Sequence, residues 1–302
     1  MTSSEILKTP YYLIGIDGGG TGTRVLLADA HNTVLAQAQG GPSALGLGVN
    51  AAWREIIMLC AAVFNQIGKS FDSTQCALGC GLAGADNPGW RAEFIAQAPL
   101  CQTLAVETDG YTTLLGAHSG QPGVIVALGT GSVGVALNAE GKRKIIGGYG
   151  FPSGDEASGA ALGLRIAQHA QRALDGRAVR DAFANAILKA LGVDDRESML
   201  TWLGNARQTQ FAALAPLAFA YADHPFAQTL LTSAGAEIAN MIDALDPSHT
   251  LPIALCGGLA AAFTPYVPIT HSTRLRPAQG NSVHGALKLA LCNNRTDFHF
   301  CK

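Results

Sequence analysis

Two short turns of glycine and hydroxyl residues stand out by type and spacing. The first, Asp17-Gly18-Gly19-Gly20-Thr21-Gly22-Thr23, follows an apolar run from Tyr11 to Ile16. The second, Gly129-Thr130-Gly131-Ser132, follows Val124 to Leu128. A polyphosphate is held by backbone N–H groups brought close to it, and glycine permits that approach. Two such turns facing each other across a cleft would offer N–H donors from both sides. The hydroxyls of Thr21, Thr23, Thr130 and Ser132 would add more. Asp17 ends the first strand, where a carboxylate either holds a hard cation such as Mg²⁺ or caps the turn.

Neither turn belongs to the common nucleotide motifs. Gly129-x-Gly131-x-x-Gly134 fits the dinucleotide fingerprint in letters, but that motif must open a helix. Here Val135 to Leu137 reads as a strand that turns at Asn138. No G-x-x-x-x-G-K-[ST] run exists, which excludes a P-loop.

The elements around the turns repeat. Strand, Gly/Thr turn, strand, turn and strand run from Tyr11 to Gln39, and the same order returns from Val124 through Val135–Leu137 to Lys144–Ile146. Between the copies, Ala51–Ile67 carries Trp53, Ile56, Ile57, Cys60, Val63, Phe64 and Ile67 on one helical face, as expected of an amphipathic helix. Strands are expected at Gln75–Gly79 and Thr103–Glu107, with helices near Pro88–Gln97 and Tyr111–His118. The later chain predicts helices at Gly159–Leu174, Val179–Leu191, Phe211–Tyr221 and Pro225–Leu245, and a strand at Ile253–Cys256. Asn281 is placed to cap a closing helix, Ser282–Cys292. Two domains of like topology follow, 1–118 and 119–302, with the closing helix 282–292 free to pack back on the first.

Composition narrows the classes. The 302 residues are 48% hydrophobic and 14% charged, with 36 glycines and a net charge of −2. Such a chain builds a sizeable core. Near-neutral charge without a basic run argues against nucleic acid and against an anionic membrane as partner. Pro247–Thr273 has no charged residue, but its prolines and glycines make a poor spanning helix. Met1–Pro10 lacks an apolar leader. Seven cysteines in no framework spacing are read as buried free thiols in a cytoplasmic protein. Cys76 and Cys80 lack the partners of a zinc site. Phe211–Tyr221 is read as core, with a homodimer interface as the alternative.

The turns resemble the phosphate loops of the sugar-kinase/heat-shock/actin ATPase superfamily, and Cys256-Gly257-Gly258-Leu259 resembles its adenosine loop. Gly147-Gly148-Tyr149-Gly150-Phe151, Gly154-Asp155-Glu156-Ala157-Ser158-Gly159 and Gly81-Leu82-Ala83-Gly84-Ala85-Asp86 are similar to the N-acetylglucosamine kinase / BadF-BadG ATPase type, on the side of bacterial glucosamine kinases. That resemblance implies two ribonuclease-H-like domains, each a mixed sheet flanked by helices, with ATP in the cleft between them and an amino sugar as phosphoryl acceptor. It assigns ATP to Gly18, Gly19, Gly20, Thr21, Thr23, Gly129, Thr130, Gly131, Gly257 and Gly258, and Mg²⁺ to Asp17. It assigns the sugar to Ser43, Asp109, Ser132, Gly148, Tyr149, Asp155 and Glu156. Asp109 becomes the base that takes the proton of the sugar 6-hydroxyl; Glu107, two residues back on the same face of an extended strand, is its rival.

Tyr149 stands where the family has Trp, and Ala44 and Val133 stand where N-acetylglucosamine kinases carry Asn. Glucosamine and its N-acetyl form both stay open as substrate. The other functions compatible with the resemblance are an ATPase that activates a partner enzyme through an iron–sulfur cluster, and a non-catalytic sugar or ATP sensor.

Overall fold

A computed structural model describes residues 11–292 of the chain. Met1–Pro10, where the sequence analysis expects no leader, and the tail from Asn293 lie outside the described residues. The chain divides into two compact units: residues up to 123 with 137–143 and 277 onward form the first, and 124–136 with 144–276 the second.

The first unit opens with the expected meander. Strand β1 (Tyr12–Gly18) pairs antiparallel with β2 (Thr23–Asp29), which pairs with β3 (Val34–Gly40). Helix α1 (Val49–Gln66) crosses to β4 (Cys76–Leu82), α2 (Pro88–Ala96) to β5 (Thr103–Glu107), and α3 (Asp109–Ala117) leaves the sheet. The strand order is β3-β2-β1-β4-β5, with β4 and β5 parallel to β1.

Period-2 alternation sets the two faces of this sheet. Ile14, Ile16, Cys76, Leu78, Cys80 and Leu82 face α1 and α2, whose Trp53, Phe64 and Phe94 fill the core. The Trp53 and Phe94 rings stack 4.1 Å apart, and the Trp53 indole donates to the Phe94 carbonyl at 2.8 Å.

The second unit's sheet is built on β6 (Gly123–Leu128), β7 (Ser132–Leu137) and β8 (Arg143–Gly147), whose end residues Gly123, Leu137 and Arg143 are counted with the first unit. Helices α4 (Gly159–Leu174), α5 (Ala182–Leu191), α6 (Arg196–Asn205), α7 (Gln208–Ala212), α8 (Ala215–Ala220) and α9 (Pro225–Leu245) follow. Strand β9 (Ile253–Cys256) completes the order β8-β7-β6-β9, the first sheet's order without its last strand. A single parallel bridge between Ile253 and Leu275 stands beyond β9. Two one-turn helices, α10 (Ala260–Phe263) and α11 (Ile269–Ser272), precede the closing helix α12 (Ser282–Cys292).

Helix α12 belongs to the first unit and lies with α3 on the sheet face opposite α1. That face is made of small residues. A Cβ at Gly79 would strike the Ala286 carbonyl, and one at Gly285 the Thr112 carbonyl. The backbones therefore meet without intervening side chains, which accounts for part of the chain's glycine content.

Three expectations change. Phe211–Tyr221 is two helices rather than one, since Pro216 has no N–H to continue a first helix. Its Phe211, Leu214, Ala215 and Ala218 are buried in the second core. Helix α5 starts at Ala182, where Asp181 caps it, and α6 was not foreseen because its apolar face is weak. The charge-free stretch 247–273 holds a buried strand and short helices; among the described residues no helix is long and apolar enough to cross a membrane. No disulfide joins the cysteines of the described range.

Candidate active site

In the first unit, β1 ends in the glycine turn, which closes on itself through Gly19 N–H to the Gly22 carbonyl at 2.9 Å and leaves Gly20 and Thr21 exposed. A second segment braces it from behind. Ser43 and Ala44 donate N–H bonds to the Gly19 carbonyl at 3.1 and 3.2 Å. Thr23's hydroxyl donates to the Gly41 carbonyl at 2.6 Å and sits 2.7 Å from the Ser43 hydroxyl. Gly18 has no room for a Cβ beside Ser43. Ser43 and Thr23 are thus buried braces of the loop, whereas Thr21 faces outward.

Asp17, Gly19, Thr21, Arg24 and Gln39 line an open cleft of about 470 Å³ beside this loop. Burial pushes the Asp17 carboxyl up from its ordinary range; a hydrogen bond from Ser282 and the Arg24 guanidinium, 3.7 Å away, oppose that. A half-buried, oxygen-only donor opening on a polar cleft fits Mg²⁺, which binds through one or two carboxylates and keeps several waters.

Asp109 opens α3 directly after β5. It is not the cap: Thr108 is, its hydroxyl accepting the Tyr111 N–H at 3.2 Å. The idea that Glu107 and Asp109 share a strand face is therefore corrected, because β5 stops at Glu107 and the chain turns into the helix. Glu107 is bound by Arg143 at 2.8 Å. Asp109 accepts the Gly110 N–H bond at 2.8 Å; burial drives its pKa upward against its backbone hydrogen bonds, and the negative charges of Asp17 and Asp86 add to the rise. Sequence reasoning did not give Asp86 a role, although it ends the Gly81–Asp86 motif.

In the second unit the corresponding turn closes through Gly129 N–H to the Gly131 carbonyl at 3.0 Å, one residue tighter than the first. Its carbonyls are taken up by the start of α4: Gly159 N–H bonds to Gly129 at 2.8 Å and Ala160 N–H to Thr130 at 3.1 Å. Asp155 lies beneath the turn, 5% exposed and at φ +63°, accepting the Ser132 N–H at 3.2 Å and the Gln208 amide at 2.7 Å. The Ser132 hydroxyl donates to the Glu156 carbonyl at 2.6 Å. Asp155 and Ser132 hold the loop in shape, while the Glu156 side chain is exposed and Tyr149 is 87% exposed. The 53-residue separation of Gln208 from Asp155 left no local signal for their bond.

Gly257 meets the same unit from β9. It sits at φ +88°, and a Cβ there would collide with the Leu128 carbonyl, which accepts the Leu259 N–H at 3.0 Å. Both facts require glycine.

The BadF/BadG/BcrA/BcrD ATPase family model matches residues 14–263, which span both glycine turns and the Gly257 loop. The chain belongs to that family. Within it, the protein is 32% identical over 284 residues to glucosamine kinase GspK of Vibrio cholerae, covering 92% of this chain and 95% of that one. A solved structure from Chromobacterium violaceum, provisionally assigned as an N-acetylglucosamine kinase, superposes with a TM-score of 0.88 at 48% identity, covering 94% of this chain and 99% of that one. A ROK family glucokinase from Streptomyces griseus, solved with glucose and AMPPNP, shares the fold at a TM-score of 0.51 and 19% identity, covering 92% and 98%. This ATPase-family chain therefore has the mixed α/β fold, with two mixed sheets flanked by helices, that its sequence predicted.

Proposed function

We propose that the protein is an ATP-dependent kinase that phosphorylates the 6-hydroxyl of an amino sugar, glucosamine or its N-acetyl form. The observation that carries this reading is the environment of Asp109: a half-buried carboxylate at a helix start, its pKa raised by desolvation, with its nearest rival held by Arg143. A base whose pKa sits above the usual carboxylate range is better matched to a sugar hydroxyl at neutral pH. The amino-sugar kinases to which the chain is similar support the substrate class.

In the proposed reaction Asp109 accepts the hydroxyl proton as that oxygen attacks the γ-phosphorus in line, and ADP leaves. The exposed Gly20–Thr21 turn and the Gly129–Thr130–Gly131 turn offer N–H and hydroxyl donors to the phosphates, stabilising charge that builds on the transferring group. Gly257 and Gly258 form the adenosine loop. Asp17 holds Mg²⁺, which when bound neutralises phosphate charge. Gly148, Tyr149 and the exposed Glu156 are the sugar-contacting candidates of the second unit. Ser43, Ser132 and Asp155 act through the loops they brace.

The iron–sulfur activator reading is disfavoured by the thiols. Cys60, Cys76, Cys80 and Cys256 are buried, and Cys101 and Cys292 are half-buried. Burial, which pushes Cys76 up to about 12 and Cys256 to about 11, places these thiols in packed core rather than grouped at a surface where a cluster could sit. Coupled ADP release with a panel of hexoses and hexosamines tests the proposal. Release stimulated by an amino sugar is expected; release indifferent to every sugar contradicts it.

A further inference from the structure

Three side chains that the nucleotide machinery does not use converge in the second unit. His169 lies in the middle of α4, Asp181 caps α5, and His224 caps α9. One ligating atom from each lies within 4.8 Å of the other two. They are 12 and 43 residues apart in the chain, so the sequence gives no metal-site spacing to read. The 10 residues from Gly159 to His169 put the group roughly 15 Å along α4 from the end that abuts the second glycine turn. It is separate from any cation bound with ATP there.

His169 is the informative member. It is 8% exposed, and its Nε2 is buried without a hydrogen-bond partner. An unpaired polar nitrogen in a packed core carries a desolvation cost that some ligand would remove. The ring is fixed in place by stacking on Phe226 at 4.3 Å between centroids and by the Phe183 ring at 5.6 Å. Beside it, His224 Nε2 lies 2.9 Å from Asp181 Oδ2. The other Asp181 oxygen accepts the Ala184 N–H at 2.9 Å, which orients the carboxylate.

We propose that His169, Asp181 and His224 form a binding site for a divalent transition-metal ion of the zinc type. Two imidazoles and one carboxylate are the donor set such ions favour, with water in a fourth position. Aromatic walls and an oriented carboxylate are the supporting features that metal sites use. Ligand atoms around tetrahedral zinc sit roughly 3.3 Å apart for bonds of about 2.0–2.1 Å, so from separations within 4.8 Å His169 closes in by at most about 1.5 Å on binding. Binding also moves the His224 proton to Nδ1, releasing the long 3.3 Å cap that this nitrogen accepts from the Phe226 N–H. Tying α4 to the starts of α5 and α9 makes the ion a clamp on the helical side of this unit.

A second cluster, Asp243 with His249 and His271, shows what disqualifies such a group. There the Arg274 guanidinium lies 3.0 Å from His271 Nδ1. That bond is charge-assisted and shorter than the 3.3 Å cap on His224, so it holds the His271 proton on Nε2 far more firmly than the backbone N–H of Phe226 holds that of His224. The fixed positive charge beside it repels a cation as well.

The test uses tag-free, chelator-treated full-length protein titrated with Zn²⁺ and Co²⁺, followed by calorimetry, thermal unfolding and visible absorption. One equivalent should bind, raise the unfolding temperature, and give Co²⁺ bands of a nitrogen–oxygen site. Asp181→Asn and His224→Asn keep side chains that cap helices, and each should weaken binding about tenfold or more. His249→Ala should leave it unchanged. The proposal is overturned by absence of saturable binding, by unaltered affinity in both Asn variants, by loss in His249→Ala, or by a thiolate-to-cobalt band that places the ion on cysteine.

Discussion

Arg143 holds Glu107 by a 2.8 Å ion pair while its guanidinium lies 3.5 Å from the centre of the Tyr111 ring. Both contacts fall within the first unit, at the junction of β5 and α3 where the candidate base sits. A carboxylate whose oxygen is occupied by a stacked guanidinium is not free to receive a substrate hydroxyl. Glu107→Gln should therefore keep turnover within about tenfold of wild type, since it removes no group that takes a proton. A much larger loss in kcat, seen in steady-state assays, would return Glu107 to the list of bases.

Asp109 makes an opposite prediction for stability. Burial raises its pKa in the folded chain, so the folded state binds that proton more tightly than the unfolded one. The associated stability is present below the unfolded carboxyl pKa and is lost as pH rises through the folded value. Asp109→Asn keeps the shape and stays neutral, and its oxygen can still accept the Gly110 N–H. In ligand-free protein it should raise the unfolding temperature at neutral pH, and the difference should vanish in acid. An unchanged or lowered temperature at neutral pH would show that the charge of Asp109 is not a burden on the fold.

Asp246 behaves the other way. Burial raises its pKa, but the Ser248 hydroxyl, the Leu251 N–H and Arg274 at 2.6 Å more than reverse this, leaving it lowered. It is 3% exposed as a residue. Removing one partner of such a pair leaves a buried charge and costs about 3–5 kcal/mol. Asp246→Ala should lose stability on that scale in urea unfolding at neutral pH. The wild-type advantage should shrink as pH falls through the depressed folded value, below an ordinary carboxyl pKa of about 3.9. A loss that ignores pH would point to packing instead.

Gly285 sits where α12 crosses α3, with the Thr112 carbonyl in the space that a Cβ would need. Neither backbone can yield as a flexible side chain would. Gly285→Ala should destabilise the chain by about 1–3 kcal/mol despite the better helix propensity of alanine. A gain in unfolding temperature would mean that the two helices separate more easily than their packing implies.

Much of this was legible because it is local. The Asp17–Thr23 and Gly129–Ser132 turns announce themselves through glycine in short strand–turn–strand units. The closing helix was visible from Asn281 and its apolar face, and the Asn281 side chain does accept the His284 N–H, at 3.4 Å. What escaped depends on distant partners. The resemblance assigned Asp155 to the sugar, and only the fold shows it taking the Ser132 N–H and the Gln208 amide. Ser43 likewise lies beneath the first turn, a placement set by Thr23 on another strand. The break in Phe211–Tyr221 was signalled by Pro216 and outweighed by an apolar run that proved to serve two helices.

The central claim is that Asp109 takes the proton in transfer to an amino sugar. The most direct measurement is kcat for amino-sugar-dependent ADP formation by Asp109→Asn, with nucleotide affinity measured in parallel. A fall of about 10²–10⁴ in kcat with ATP affinity little changed is the result predicted for loss of a general base. Near-wild-type turnover in that variant would contradict the account.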